Sequence, residues 1–153
     1  MNKNSGFTLI EIMVVLVLLA VMTTVVTLNV GGPSYSRFQG NAEKIANTFS
    51  ILADEAVFTS SVVSCQVTPK SIVCKKYRDG EWNDLPISRL VAWGWPKELR
   101  ISQVLVNGVA IKDKQPIFFL PSGDNGDISV QVADDSYSAW IDGDMSGRYK
   151  VSY

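Results

Sequence analysis

A long apolar run near the N terminus constrains this chain more than any other feature of its sequence. From Phe7 to Leu28, 17 of 22 residues are apolar, and Glu11 carries the one charge in that stretch. A helix of about 20 apolar residues can cross a bilayer, whereas the apolar region of a secretory signal peptide has roughly 7–15 residues. The sequence therefore predicts a transmembrane helix over residues 7–28.

The six residues before this run form a short polar segment. Lys3 is its one charged residue, and the small residue Gly6 directly precedes the apolar run. Cleavage after Gly6 would remove residues 1–6 as a leader and keep the helix. A basic residue on the short side places that end in the cytoplasm, so we expect the rest of the chain to lie outside the cytoplasm.

Glu11 lies inside the most apolar stretch of the chain. A charged side chain in a membrane-spanning helix is costly, so its presence there must be explained. In one interpretation it is an interfacial carboxylate that reaches out to the lipid headgroups. In the other it pairs with a cation, and the α-amino group of Phe7, exposed by cleavage after Gly6, is the candidate. Such a pair between neighbouring subunits would neutralise two buried charges at once and would favour assembly.

The heptapeptide from Ser5 to Glu11, followed by an uncharged apolar helix, resembles the cleavage and methylation motif of type IV pilins and type II secretion pseudopilins. The resemblance implies that a prepilin peptidase cuts after Gly6 and N-methylates Phe7. It also implies that Glu11 is the assembly carboxylate, paired with Phe7. The fold that it implies is α+β and pilin-like, with a long N-terminal helix packed on a C-terminal antiparallel β-sandwich-like domain.

After the apolar run the sequence predicts a break and then an amphipathic helix. Two glycines and Pro33 predict a helix break or hinge over residues 29–34, since Gly and Pro both disfavour a continuous helix. An amphipathic helix is predicted over residues 35–60, because apolar residues recur there every three or four positions. Its apolar stripe is Phe38, Ala42, Ile45, Phe49, Leu52 and Ala56, with Ala46 and Ala53 alongside.

Residues 61–153 have the pattern of a periplasmic β-domain. Short apolar runs alternate there with turn dipeptides such as Asp79-Gly80 and Asn107-Gly108, which is typical of antiparallel strands. We predict strands at Val62–Val67, Ile72–Arg78, Leu90–Trp95, Arg100–Val106, Ala110–Lys112, Ile117–Leu120, Ile128–Ala133, Ser138–Ile141 and Tyr149–Tyr153.

The two cysteines, Cys65 and Cys74, fall within one predicted hairpin. If Pro69 and Lys70 form its two-residue turn, the cysteines lie directly opposite each other at a non-hydrogen-bonded position, where Cα atoms are about 4.5 Å apart. A disulfide is one prediction, because the periplasm is oxidising. Two buried free thiols are the alternative.

Two further groups of residues are candidates for binding. Trp93 and Trp95 would lie on one face of the predicted strand, where they either pack in the core or form an anchor for a partner protein. The acidic groups Asp124–Asp127, Asp134–Asp135 and Asp142–Asp144 offer oxygen ligands for calcium. Asp, Asn and Gly are also the residues that tight turns require, and we therefore predict turns and no metal site.

Composition excludes several classes of function. The chain has no histidine, which removes His-dependent triads and His-bearing zinc sites. Its 14 basic and 15 acidic side chains give a net charge of −1, which disfavours a nucleic-acid surface. No nucleophile and base stand at a catalytic spacing, so the sequence predicts no enzyme, no cofactor and no small-molecule substrate.

Within the pilin-like proteins, three segments are similar to the minor pseudopilin H of type II secretion systems. They are residues 90–96, Leu-Val-Ala-Trp-Gly-Trp-Pro, residues 106–108, Val-Asn-Gly, and residues 115–123, Gln-Pro-Ile-Phe-Phe-Leu-Pro-Ser-Gly. This resemblance implies a structural subunit of the inner membrane and periplasm, incorporated near the tip of the pseudopilus. Its implied partners are minor pseudopilins I, J and K, major pseudopilin G, the inner-membrane assembly platform and the prepilin peptidase. A minor pilin of type IV pili, involved in pilus initiation or DNA uptake, is the alternative. A membrane-anchored periplasmic enzyme is a more distant one.

Overall fold

The computed structural model describes residues 9–27, 32–92 and 94–153. The chain divides into two compact units, Met1–Ser36 and Arg37–Tyr153, and each is described by itself. Helix α1 covers Leu9–Thr27. No helix in the described ranges meets the length and apolarity that a membrane span requires. The transmembrane helix over 7–28 therefore stays a prediction, and the proposed leader (1–6) and residues 29–31 of the proposed break (29–34) lie outside the described residues. Pro33 and Ser34, at the end of the proposed break, are already helical.

Helix α2 covers Pro33–Phe58, close to the predicted range of 35–60. Proline is well tolerated in the first turn, where its missing N–H would have no helical partner. The whole predicted apolar stripe is buried. Thr48 is buried too, and its hydroxyl donates to the Lys44 carbonyl at 2.9 Å, so no polar group is stranded there.

The C-terminal end of α2 is capped at Ser60, whose backbone has a left-handed conformation. Ser60 has φ of 47°, its N–H donates to the Val57 carbonyl, and the N–H of Ser61 donates to the Ala56 carbonyl. These two bonds form a Schellman motif, which satisfies carbonyls that the helix leaves open. The motif turns the chain out of the helix and into the first strand.

In the described part of the chain, nine strands form two antiparallel sheets. The first sheet has the order β3-β2-β1-β6 and the second the order β5-β4-β7-β8-β9. Their bounds are β1 Val63–Thr68, β2 Ser71–Arg78, β3 Glu81–Leu85, β4 Arg100–Val106, β5 Val109–Ala110, β6 Pro116–Phe119, β7 Ile128–Ala133, β8 Ser138–Gly143 and β9 Tyr149–Ser152.

Two tight turns follow the sequence signals closely. Asp79-Gly80 joins β2 to β3, and Asn107-Gly108 joins β4 to β5. All four residues have positive φ, between 52° and 86°, as a type I′ hairpin turn requires. The dipeptides therefore fix both the position of these hairpins and their register.

Helix α2 packs against both sheets and forms one core with them. The ring of Phe49 lies 6.3 Å from that of Phe119 in the first sheet and 5.4 Å from that of Tyr149 in the second. At the end of α2, Glu55 accepts a hydrogen bond from Lys76 of β2 at 2.9 Å. The predicted α+β fold, with a helix packed on an antiparallel β-domain, is confirmed.

The predicted strand at Leu90–Trp95 is wrong. A 3₁₀ helix occupies Ile87–Arg89, the described residues of the 90–95 segment contain no strand, and β3 at Glu81–Leu85 was missed. The ladder between β2 and β3 ends at Leu85, and Pro86 then offers no N–H to continue it. The strand predicted at Ala110–Lys112 is also shorter than expected, since β5 contains Val109 and Ala110 alone.

Candidate functional sites

Of the N-terminal motif, the structure describes Glu11, whereas Gly6 and Phe7 lie outside the described residues. Glu11 is in the first turn of α1, where the partial positive charge of the free N–H groups stabilises a carboxylate. Its side chain is exposed, as are those of Ile10 and Ile12 on either side of it. The pairing of Glu11 with Phe7 stays a prediction.

The cysteine hairpin has the predicted register. Pro69 and Lys70 form the turn, and Cys65 lies directly opposite Cys74, with 4.1 Å between their Cα atoms. The structure joins their two sulfur atoms in a disulfide. Both residues face the core and are almost completely buried, so the bridge ties β1 to β2 from the inside.

Of the predicted tryptophan pair, the structure describes Trp95. Trp93 lies outside the described residues. Trp95 is half-buried against the core, and its indole N–H donates to the Leu99 carbonyl at 3.2 Å. Since this segment is not a strand, the alternation that would place both rings on one face does not apply. The role of these two residues in partner contact stays a prediction.

Ile87, Ser88, Val91, Gly94 and Trp95 form one side of a pocket that the sequence did not indicate. Its volume is about 240 Å³, and α2 together with the start of β2 forms the other side. Sequence analysis missed it because Leu90–Trp95 was assigned to a strand. The Ile-Ser-Arg segment after Pro86 was the available signal, because it has no strand-like alternation.

The prediction of turns is met at Asp144 and at Asp134–Asp135, whereas Asp142 is a residue of strand β8 and Asp124–Asp127 forms an irregular connection before β7. The Oδ1 atom of Asp144 accepts hydrogen bonds from the N–H groups of Ser146 and Arg148 and from the Ser146 hydroxyl, at 2.6–3.0 Å. These bonds, above all the one from the Ser146 hydroxyl, hold the pKa of Asp144 below its usual range. Asp134 caps the turn before β8 in the same way. Its Oδ1 accepts from two backbone N–H groups.

Asn125 is a buried polar residue that the sequence suggested only as part of a turn. Its Oδ1 accepts a hydrogen bond from the Leu120 N–H at 2.6 Å. Leu120 directly follows β6, the outer strand of the first sheet, and Pro116 at the other end of β6 has no N–H. The two residues reduce the number of free donors on this edge, which limits edge-to-edge pairing.

Comparison with known proteins finds a sequence motif and one similar curated protein. The prokaryotic N-terminal methylation motif matches residues 1–27. Type II secretion system protein H of Pseudomonas aeruginosa is 32% identical over 90 residues, which are 58% of this chain and 52% of that protein. The chain thus spans about half the length of the curated relative that it matches.

Two solved structures share the fold. Both are of the minor pseudopilin EpsH from the type II secretion system of Vibrio cholerae. One has a TM-score of 0.53 at 13% identity and covers 72% of this chain, and the other has a TM-score of 0.54 at 12% identity and covers 74%. Each comparison includes 94% of the solved chain.

The chain combines a match to the methylation motif over residues 1–27 with a helix packed on antiparallel sheets. The motif match includes Gly6, Phe7 and Glu11, the residues that carry the resemblance to type IV pilins and pseudopilins. The chain is similar to type II secretion system protein H and has the fold of the pseudopilin EpsH.

Proposed function

We propose that this protein is a minor pseudopilin of a type II secretion system. It acts as a structural subunit near the tip of the periplasmic pseudopilus and assists the export of folded proteins across the outer membrane. The observation that carries the proposal is the methylation motif over residues 1–27 in a chain that is 32% identical to protein H over 90 residues. The likeness to EpsH supports it at the level of the fold.

In this proposal α1 anchors the subunit in the inner membrane before assembly, with the β-domain in the periplasm. A prepilin peptidase removes residues 1–6 and methylates Phe7. On incorporation, Glu11 pairs with the α-amino group of Phe7 of a neighbouring subunit, a pairing that its exposed position in the first turn of α1 permits. The subunit performs no chemistry, and its partners are pseudopilins I, J and K, pseudopilin G and the assembly platform.

Substitution Gly6→Ala tests the first step of this proposal. The small residue before the cut is part of the motif, and we expect the variant to keep residues 1–6 in cells that contain a prepilin peptidase. Intact-mass spectrometry of the purified protein measures the outcome. The wild type should lack residues 1–6 and carry one methyl group on Phe7.

Gly40→Ala is the matched control, since Gly40 lies within α2 and an added Cβ would meet no atom within 4 Å. This variant should be processed like the wild type. A Gly6→Ala protein of the same mature mass as the wild type would contradict the assigned cleavage site. A wild-type protein that keeps Met1–Gly6 would contradict the pseudopilin proposal itself.

A further inference from the structure

A second pocket lies beside strand β6, and the structure describes every residue that lines it. Its volume is about 400 Å³. β6 contributes Ile117 and Phe118 to the lining, and Leu120 follows directly after the strand. The second sheet contributes Val106 of β4 and Ile128 of β7, which pair with each other. No residue of β1 lines the pocket, so the pocket lies on the side of β6 that faces away from β1.

The direction of the main-chain groups in β1 follows from two hydrogen bonds. In an antiparallel ladder, the N–H and C=O groups of successive residues point to alternate sides of the strand. The Val62 carbonyl accepts from the N–H of Tyr77 in β2, and the Val67 carbonyl accepts from the N–H of Lys114, shortly before β6. The even-numbered residues of β1 therefore face β2, and the odd-numbered residues face β6.

This alternation leaves the main chain of Phe118 unpaired. Val63 lies opposite Phe119 and Cys65 lies opposite Ile117, so these two pairs make the hydrogen bonds between β1 and β6. Phe118, between them, has its N–H and C=O groups on the other side of the strand, which is the side of the pocket. The described part of the chain offers neither group a partner.

The next positions along this edge of β6 are closed. Pro116 has no N–H. The Leu120 N–H donates to Oδ1 of Asn125, and the Leu120 carbonyl accepts from the N–H of Gly123. A strand added to this edge can therefore exchange a complete pair of main-chain hydrogen bonds at one residue, the one opposite Phe118. This geometry suits a short extended segment and does not support a long added strand.

A group that covers Phe118 has to satisfy a donor and an acceptor at once. A backbone group that is buried without a partner costs free energy, and the N–H and C=O groups of Phe118 are spaced as in an extended chain. Another extended polypeptide matches this spacing. Recognition by strand addition combines such main-chain bonds with pockets for alternate side chains, and the apolar pocket lies next to the free pair.

The ladder also determines which side chains of the segment enter the pocket. The residue opposite Phe118 would share the outer face of the sheet with it, where Phe118 is 45% exposed. The residues before and after it would point to the core face, as the buried Ile117 and Phe119 do. Val106 and Ile128 make the lining apolar there, so apolar side chains lose least by entering.

We propose that the pocket beside β6 binds an extended segment of another protein, in which the residue that pairs with Phe118 stands between two apolar residues. The segment lies antiparallel to β6, as the strands of this sheet do to one another. The inference goes beyond the proposed function, which names partners for the subunit but no surface that receives them.

Peptide titration of the full chain in lipid nanodiscs tests the proposal, with the amide resonances of the isotope-labelled protein as the readout. The probe is a pentapeptide with lysine at both ends, valine at its second and fourth positions and threonine between them. In the comparison peptide, valine and threonine exchange places. We expect the probe to shift the Phe118 amide resonance and to bind at least about tenfold more tightly, because it places two valines on the core face.

Methylation of single peptide nitrogens isolates the main-chain hydrogen bonds. N-methylation of the threonine removes the N–H that donates to the Phe118 carbonyl, and should weaken binding about tenfold. The matched control is N-methylation of the first valine, whose N–H points away from β6. This change should alter the dissociation constant by less than about threefold.

Phe118→Pro makes the complementary change in the protein. Proline lacks the N–H that faces the segment and removes no bond to β1, and proline is found at such positions of edge strands. The variant should bind the probe about tenfold more weakly. Phe118→Ala keeps the N–H and should bind within about threefold of the wild type.

Equal binding of the probe and the comparison peptide would overturn the proposal, as would binding that survives N-methylation of the threonine. Absence of probe binding at millimolar concentration, resonance shifts confined to residues outside the pocket, or equal losses in Phe118→Pro and Phe118→Ala would also overturn it. The peptide results on the wild type decide the matter even if Phe118→Pro does not fold. None of these results affects the processing test with Gly6, so the two proposals fail separately.

Discussion

At the residue scale, Asp144 determines the shape of the β8–β9 turn through its carboxylate. The Ser146 hydroxyl and two backbone N–H groups donate to it, and these bonds favour the ionised form. The pKa of Asp144 is therefore lower in the folded chain than in the unfolded chain. A carboxyl group with a depressed folded pKa stabilises the fold above its unfolded pKa and loses that effect as the pH falls through the folded value.

We therefore expect Asp144→Asn to lower the thermal midpoint at pH 7 and to have a smaller effect at strongly acidic pH. Asparagine keeps an acceptor oxygen but lacks the charge that strengthens the three bonds. Thermal unfolding of both proteins across this pH range measures the difference. Asp113→Asn, an exposed change in another loop, is the control, and an Asp144→Asn effect that does not vary with pH would contradict this account.

Also at the residue scale, the Cys65–Cys74 bridge has a measurable consequence. The bridge closes a loop with a sequence separation of nine residues, and loop-closure entropy gives it a stabilisation of roughly 2–3 kcal/mol. A double Cys65→Ala and Cys74→Ala variant should lose about this free energy of unfolding in urea. The unreduced wild type should show no titratable thiol when denatured, and two reactive thiols in that sample would rule out the bridge.

At the element scale, one partly buried ion pair connects α2 to the first sheet. Lys76 of β2 lies 2.9 Å from Glu55 of α2, with side chains 19% and 20% exposed. The neighbouring pair of Lys75 and Asp84 is 4.0 Å apart and far more exposed. The two lysines are adjacent on the same strand and point to opposite faces of it, so they make a matched comparison.

Lys76→Met should lower the free energy of unfolding by about 1–3 kcal/mol, because it leaves the Glu55 carboxylate partly buried and unpaired. Lys75→Met should change it by less than about 0.5 kcal/mol, as is usual for an exposed pair. Urea denaturation of the two variants provides the comparison. Equal losses in the free energy of unfolding would show that the packing of α2 on the first sheet does not depend on the Lys76–Glu55 pair.

The elements with strong local signals were the ones that sequence analysis predicted well. The apolar stripe of α2 follows the helical period, and Asp79-Gly80 and Asn107-Gly108 demand tight turns of one type. β3 was missed because four of its five residues are exposed, so burial imposes no alternation on it. Its pairing with β2 comes from the turn before it, not from its own pattern.

The site was less predictable than the fold. The opposition of Cys65 and Cys74 follows from counting residues outward from the Pro69-Lys70 turn, which is a local argument. The pocket brings together Thr48, Ile72 and Trp95, which are far apart in sequence, and no local signal joins them.

At the scale of the whole molecule, the chain combines an N-terminal methylation motif with a separate folded unit. The unit Arg37–Tyr153 contains all the residues of the buried core, so substitutions in α1 should leave that core intact. This separation allows Glu11 to be changed without disturbing the β-domain. An effect of such a change on assembly can then be attributed to the motif.

The central claim is that the chain is a pseudopilus subunit whose incorporation depends on Glu11. The direct measurement is the amount of mature protein that co-purifies with pseudopilin G from cells carrying wild type, Glu11→Ala or the exposed α2 control Glu43→Ala. We predict normal leader cleavage in all three, and loss of most co-purification and of protein secretion in Glu11→Ala alone. Wild-type levels of both in the Glu11→Ala cells would contradict the claim.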